Sequence, residues 1–95
     1  MIDLERIVGF DWDRKSADKH DVSQAEAESI FFNDPLIVVE DSTHSKAEQR
    51  FQALGKTGQG RALNVTFMLR RNGTLIRVIS ARDMNRKERQ RYEQA

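Results

Sequence analysis

The chain contains no cysteine and only one proline among its 95 residues. The absence of cysteine excludes disulfide bonds, thiolate nucleophiles and zinc sites built on cysteine. No apolar run approaches the roughly 18–20 residues of a membrane-spanning helix. The opening "MIDLERIVGF" also lacks the basic start and long apolar stretch of a signal peptide. We therefore expect a cytoplasmic protein with no membrane partner.

The motifs of several enzyme classes are missing as well. The sequence has no G-x-S-x-G elbow, no P-loop and no glycine-rich dinucleotide fingerprint. Its two histidines, His20 and His44, do not have the spacing of metal ligands. We accordingly predict neither a metal site nor a cofactor. The length and the ordinary share of hydrophobic residues, 38%, predict a single domain over residues 1–95.

Charge is present in nearly equal amounts of both signs, but it is unevenly distributed along the chain. Residues 1–45 hold four Lys or Arg and eleven Asp or Glu, whereas residues 46–95 hold twelve Lys or Arg and four Asp or Glu. A basic surface attracts polyanions even when the net charge, here +1, is small. The second half of the chain therefore either forms a single basic face for an anionic partner or is mixed with the acidic half in the folded protein.

Alternating hydrophobicity predicts most of the secondary structure. Ser23 with Glu26, and Asn85 with Glu88, have the spacing of capping boxes at the starts of two helices. Asn72-Gly73 predicts a hairpin with a type I′ turn. Strands are predicted at residues 7–12, 36–40, 50–57, 61–71 and 74–81. This order predicts an α+β fold: an antiparallel sheet of about four strands with two to three helices packed on one face.

Arginines on the last predicted strand are the most informative polar residues. At a strict period of two, Arg77 shares a side with Leu75 and Ile79, and Arg82 falls on the opposite side with Val78. A half-buried guanidinium needs a carboxylate, carbonyl or phosphate partner. Arg77 is thus either half of an internal ion pair or a phosphate ligand. Arg82 is either a solvated rim residue or a phosphate ligand.

The motifs "FDWD", "KHDVS", "AEAESIFFNDP", D-x-x-H-S-x-x-E-x-R, "LGKTGQGRAL" and "IRVISARDMNRKERQRYE" follow one another over nearly the whole chain. In this order they resemble the BrnT-type toxin family. The spacing from Trp12 to Lys19 and His20 is shorter than in the family pattern by about four residues, roughly one helical turn.

The resemblance implies a small α+β fold similar to that of RelE-type ribonucleases. It also implies a type II toxin that cleaves RNA without a metal ion and inhibits translation. A cognate antitoxin similar to BrnA would neutralise the toxin in a hetero-oligomer, and operator DNA would be bound only through that antitoxin. The alternative is a non-catalytic module with a degenerate active site that binds nucleic acid or an antitoxin.

Metal-independent cleavage requires a base for the ribose 2′-OH, cations beside the phosphate and an acid for the departing oxygen. His20 is the candidate acid or base because histidine titrates near neutrality. Arg61, Arg77 and Arg82 are candidates for phosphate binding, and Tyr92 for stacking or proton donation. The candidates for RNA binding are Lys19, Trp12 and Arg50.

Each of these residues also has a structural alternative. Packing in the core is the stronger expectation for Trp12, and so is a solvated strand end for Arg50 and Arg61. Packing of Tyr92 against the sheet and a surface position for His20 are equally expected alternatives. For His44, ordering of its own loop is the stronger expectation. The cationic residues of the last helix are expected to be solvated or to meet an acidic antitoxin segment; they are Arg86, Lys87, Arg89 and Arg91.

Overall fold

The computed structural model describes residues 4–12, 21–41 and 48–94. Short 3-10 helices occupy Leu4–Arg6 and Ile30–Phe32. No helix within the described ranges is long and apolar enough to cross a membrane. The strands and α-helices, in chain order, are β1 (Gly9–Trp12), α1 (Gln24–Ser29), β2 (Ile37–Asp41), β3 (Arg50–Lys56), β4 (Ala62–Arg70), β5 (Leu75–Asp83) and α2 (Arg86–Glu93).

The five strands form one sheet in the order β1-β5-β4-β3-β2. Strands β2 to β5 are antiparallel neighbours, as predicted, whereas β1 pairs with β5 in parallel. The predicted α+β class is confirmed, but the sheet is mixed and has five strands instead of about four in an antiparallel sheet. Pairing of β1 was not visible in the sequence because its partner is remote: Asp11 and Arg77 are 66 residues apart.

One face of the sheet, the apolar face, carries the main core. Phe67, Val65 and Leu63 of β4 are fully buried there and form a cluster with Ile30 and with residues of the neighbouring strands. The 3-10 helix after α1 approaches β3 closely: a Cβ added at Gly55 would lie 2.9 Å from the Cβ of Ile30. A side chain larger than hydrogen at position 55 would therefore push this helix away from the sheet.

Helix α2 packs against the opposite face. Its Tyr92 joins Leu54, Ala62 and Met84 in a second, smaller apolar cluster. Leu54 and Gly55 are neighbours on β3, so their side-chain directions are opposite, and α1 and α2 lie on different sides of the sheet. The prediction that the helices pack on one face was wrong, because the sequence marks where a helix begins but not towards which face the preceding chain turns.

Local signals in the sequence were more reliable. Both predicted capping boxes are formed: Ser23 accepts from the backbone of Glu26, and Asn85 accepts from the backbone of Glu88. The hairpin is formed too, but its turn has four residues, since β4 ends at Arg70 and β5 begins at Leu75. Positive φ angles occur at Arg71, Asn72 and Gly73. The turn is thus longer than the predicted two-residue type I′ turn.

Candidate functional site

A β-bulge in β5 brings Arg77 and Arg82 to the same face of the sheet. Thr66 pairs with Ser80, but the next residue, Phe67, pairs with Val78, so Ile79 is an extra residue on β5. A bulge of this kind inverts the alternation of side chains beyond it. Arg77 pairs with Met68 and Arg82 with Asn64, two β4 residues of the same parity. The expectation of opposite sides was wrong because strict alternation ignores the bulge.

The face that carries both arginines is opposite the main core, and we call it the polar face. One row across the sheet has Arg50, Met68 and Arg77 side by side, with an aspartate on each outer strand, Asp41 and Asp11. The next rows contribute Gln52, Thr66 and Ser80, and then Leu54, Asn64 and Arg82. Helix α2 covers the end nearest Arg82. The polar face therefore holds cationic and hydrogen-bonding side chains on rigid strands.

Arg82 is held by Glu88 of α2. Its Nη1 and Nη2 donate to the two carboxylate oxygens of Glu88 at 2.8 and 2.9 Å, and Nη1 also donates to the backbone oxygen of Asp83 at 3.0 Å. This contact raises the pKa of Arg82. Among the described residues nothing accepts from Nε, so the Nε–Nη2 edge of the guanidinium remains open. That edge has the geometry to bind two oxygens of one phosphate.

Arg77 has a similar open edge. Its Nη1 donates to Asp11 Oδ2 at 3.0 Å, and no described residue accepts from its Nε or Nη2. Its side chain is about one-third exposed. The β4 partners of the two arginines are four residues apart, which corresponds to about 14 Å along the strand. The two guanidinium groups are therefore spaced along the sheet as separate ligands and do not form one cluster.

Glu88 is the centre of a hydrogen-bond network that the sequence did not reveal. In addition to Arg82 it accepts from the backbone N–H of Asn85 at 2.9 Å and from Asn64 Nδ2 at 2.6 Å. Asn64 Nδ2 also donates to Gln52 Oε1 at 3.2 Å, and Gln52 Nε2 donates to Asp41 Oδ2 at 3.2 Å. The contact with Arg82, followed by those with Asn85 and Asn64, lowers the pKa of Glu88. Capping-box spacing found Glu88, but not these partners.

Arg61 differs from the other two predicted arginines because its donors are occupied. Nε and Nη2 donate to the two carboxylate oxygens of Asp83 at 2.8 and 3.1 Å, and Nη1 donates to Glu26 and to the backbone oxygen of Asp21. The pKa of Arg61 is raised, and that of Asp83 is lowered by the same contact. Arg61 thus connects the start of β4, the end of β5 and the start of α1.

Trp12 and Tyr92 are both packed against apolar clusters of the fold. Trp12 pairs with Val78 on the apolar face, packs against the main core and donates from Nε1 to Glu28 Oε2 at 2.9 Å. Tyr92 is 5% exposed, and its hydroxyl donates to the backbone oxygen of Pro35. Burial raises the pKa of the Tyr92 phenol. Both arrangements favour the packing roles that the sequence left open.

The remaining predicted residues are placed as follows. Arg50 lies on the polar face in the row of Arg77, two strands away. Lys19, His20 and His44 lie outside the described residues. Within the described ranges, no three His, Asp or Glu side chains are grouped so as to hold a metal ion.

A cavity at the hairpin end of the sheet adjoins the polar face. It is lined by Phe10, Asp11, Arg70, Arg71, Leu75 and Arg77 and has a volume of about 540 Å³. Arg70 shares the parity of Met68 on β4 and forms an ion pair with Glu48. Arg71 is exposed in the turn. Three guanidinium groups therefore line one open cavity, and the sequence signal for it was the pair Arg70-Arg71 before the turn.

The described residues thus form a small α+β fold whose polar sheet face carries arginines on neighbouring strands. The family described as ribonuclease toxin, BrnT, of type II toxin-antitoxin system matches residues 11–88. The chain belongs to this family, which confirms the resemblance found in the sequence. The matched range includes every predicted site residue except Tyr92. Comparison with curated proteins gives no match.

Proposed function

We propose that the chain cleaves RNA on its polar face, with the phosphate of the scissile linkage bound by Arg82 and another phosphate of the same strand bound by Arg77. Family membership supports ribonuclease activity and a cognate antitoxin. The observation that carries the proposed site is that both arginines present an open donor edge on the same rigid face. A RelE-like arrangement of the sheet, implied by the resemblance, is part of this proposal.

The proposed reaction needs no metal ion. A base accepts the proton of the ribose 2′-OH, and the 2′-oxygen attacks the adjacent phosphorus. The bond from phosphorus to the 5′-oxygen breaks, and an acid protonates that oxygen. The products are a 2′,3′-cyclic phosphate and a 5′-hydroxyl. Guanidinium groups stabilise the negative charge that accumulates on the phosphate oxygens in the transition state.

We assign the acid–base role to His20, because a histidine can both accept and donate a proton near neutral pH. Lys19 and Arg50 are proposed to contact neighbouring phosphates. Glu88 is a poor base in this scheme. Its four hydrogen-bond donors stabilise the ionised carboxylate and thereby lower the pKa of Glu88, so the carboxylate accepts a proton less readily.

Arg61 and Tyr92 receive structural roles. The Nε–Nη2 edge of Arg61, the edge that remains open in Arg82, is filled by Asp83. The Tyr92 hydroxyl is engaged with Pro35 beneath α2. A phosphate would have to displace a carboxylate to bind Arg61 bidentately. Trp12 packs against the main core and donates to Glu28, so we assign it to the core and not to base stacking.

The cavity at the hairpin end of the sheet extends the surface that we propose to bind RNA. Arg70 and Arg71 lie beyond Arg77 at the end of the sheet opposite α2, so an RNA backbone bound at Arg82 and Arg77 would continue towards them. Because these two residues lie outside the scissile linkage, we expect them to contribute to affinity and not to the chemical step.

The partner is proposed to be a BrnA-like, DNA-binding antitoxin that forms a hetero-oligomer with the toxin and brings it to operator DNA. We expect the complex to act in the cytoplasm. Expression of the toxin should arrest growth, and co-expression of the antitoxin should restore it. Growth that is unaffected by toxin expression would contradict the proposed toxicity.

Purified protein incubated with RNA in EDTA tests the chemistry. We expect fragments that end in a 2′,3′-cyclic phosphate, and their loss in the variant Arg82→Ala. The alternative function is a non-catalytic binding module, which the internal ion pairs of Arg77 and Arg82 favour. It predicts salt-sensitive binding to RNA that stays intact.

A further inference from the structure

We propose that Asn64 and Glu88 are positioning residues that hold the Arg82 guanidinium with its Nε–Nη2 edge facing the polar face. The inference rests on the proposed function of Arg82. It concerns two residues that were not predicted as part of the site, one of them on β4, the central strand of the sheet, and the other in the first turn of α2. Neither would touch RNA itself.

The first support is the arrangement of donors around Glu88. Its two oxygens accept four hydrogen bonds, two from Arg82, one from Asn64 and one from the backbone of Asn85. Each oxygen is thus fixed by two donors. Because the Glu88 side chain is only 17% exposed, few competing water contacts weaken this arrangement. A carboxylate held in this way fixes the plane of the guanidinium that it binds.

The second support is the unusual environment of Asn64. This residue is 2% exposed, and no described group donates to its Oδ1. A buried acceptor without a donor lowers the stability of the fold. An ionised carboxylate accepts and does not donate, so the amide nitrogen must face Glu88 and the orphan Oδ1 must point elsewhere. The residue costs stability, which favours a role in orienting Glu88.

The third support is the continuity of the network. Hydrogen bonds run from Asp41 through Gln52 and Asn64 to Glu88, and so connect β2, β3 and β4 with α2. Strands fix their side chains more rigidly than loops do. Arg82 therefore takes its orientation from the sheet as a whole and not from one surface ion pair.

The test compares Glu88→Gln and Asn64→Ala with Asp83→Asn. Glutamine retains the capping box, so α2 should still begin at the same place. Asp83 is a matched control because it binds Arg61 with both oxygens in the same manner. We expect Glu88→Gln and Asn64→Ala to lower kcat by about 10- to 100-fold with little change in KM, since small displacements of catalytic groups have effects of this size. Asp83→Asn should retain the parent kcat.

Chemical rescue gives a readout that a purely structural role would not change. Added guanidinium ion should restore part of the activity of Arg82→Ala, because Glu88, which Asn64 holds in place, forms its binding site. It should not restore the double variant Arg82→Ala/Glu88→Gln. Equal restoration in both, or a parent kcat in Glu88→Gln, would overturn the positioning role.

Failure of the proposed function can be recognised separately. If Arg82→Ala cleaves RNA at the parent rate, Arg82 is not a catalytic residue. Positioning is then decided by NMR of the Arg82 side chain. If the parent protein gives separate Nη signals and these merge in Glu88→Gln, the result supports a guanidinium that Glu88 orients. If the substitution leaves the Nη signals unchanged, the positioning role of Glu88 is overturned.

Discussion

Arg77 and Arg82 lie on the same face of β5, although they are five positions apart and strict alternation would place them on opposite faces. The extra residue at Ile79 accounts for this, because the register with β4 shifts between Thr66 and Phe67. The bulge thus creates the polar face as a continuous surface. It also leaves Ile76, Val78 and Ala81 buried on the other side of the sheet.

Substitution of Arg82 should impair the chemical step, and substitution of Arg77 should impair RNA binding. We expect Arg82→Ala to lower kcat by about 100- to 1,000-fold, as removal of one donor to a transition-state oxyanion does, and Arg77→Ala to raise KM with little change in kcat. Arg86→Ala, at an exposed position of α2, should retain the parent rate. Single-turnover cleavage of a short RNA measures these rates. A full rate in Arg82→Ala would contradict the proposed site.

The hairpin cavity should contribute to RNA affinity. Arg71→Ala should weaken binding and reduce the slope of log K against log salt concentration by about one, as the loss of one phosphate contact does. Arg71→Lys keeps the charge and should keep the slope, and Lys87→Ala on the exposed side of α2 should leave it unchanged. Fluorescence titrations with RNA over a range of salt concentrations measure this slope. The same slope in Arg71→Ala as in Lys87→Ala would exclude a contact at Arg71.

Acid should destabilise the fold through Glu88. Arg82 and the other donors lower the pKa of this carboxyl below its ordinary value of 4.5 in the folded state. The contribution of these contacts to the free energy of unfolding is complete above about pH 4.5. It is lost as the pH falls through the pKa that Glu88 has in the folded state. In Glu88→Gln this part of the acid dependence should be absent, and stability at pH 7 should fall by about 1–2 kcal/mol, since Arg82 is partly exposed. Urea unfolding at pH 3 to 7 measures the difference.

Tyr92 should produce the opposite dependence at alkaline pH. Burial raises the pKa of its phenol above the ordinary value of 10.0, so its contribution is complete below pH 10 and is lost as the pH rises through the folded pKa. Tyr92→Phe should remove this alkaline loss of stability. Thermal unfolding between pH 8 and 11 provides the comparison. If the parent protein and Tyr92→Phe lose stability identically as the pH rises, the Tyr92 phenol is exposed to water.

Close packing at Gly55 should make this position intolerant of a side chain. Gly55→Ala places a Cβ 2.9 Å from Ile30 and should destabilise the fold by about 1–3 kcal/mol through overpacking. Gly58→Ala is the matched control, because nothing lies within 4 Å of its added Cβ. Urea unfolding compares the two variants. Equal stability would show that the 3-10 helix adjusts without cost.

Local chemistry made the strands, the capping boxes and the hairpin predictable. Ser23 with Glu26, Asn85 with Glu88, and Asn72-Gly73 act through contacts within a few residues, so their spacing alone identifies them. The family resemblance was equally visible in the order of the motifs. The arginines of the last strand were recognised as candidates for the same reason: residue type and position on a strand are read directly from the chain.

What the sequence by itself determined is therefore the set of strands, the helix starts, the hairpin, the family and the candidate arginines. Only the tertiary structure decided that α2 packs opposite α1, that β1 lies beside β5, and that Glu88 binds both Arg82 and Asn64. It also separated Arg61, whose Nε–Nη2 edge is filled by Asp83, from Arg77 and Arg82. The physical reason is that these features depend on a single-residue bulge and on partners distant in the chain, neither of which leaves a periodic or local signal.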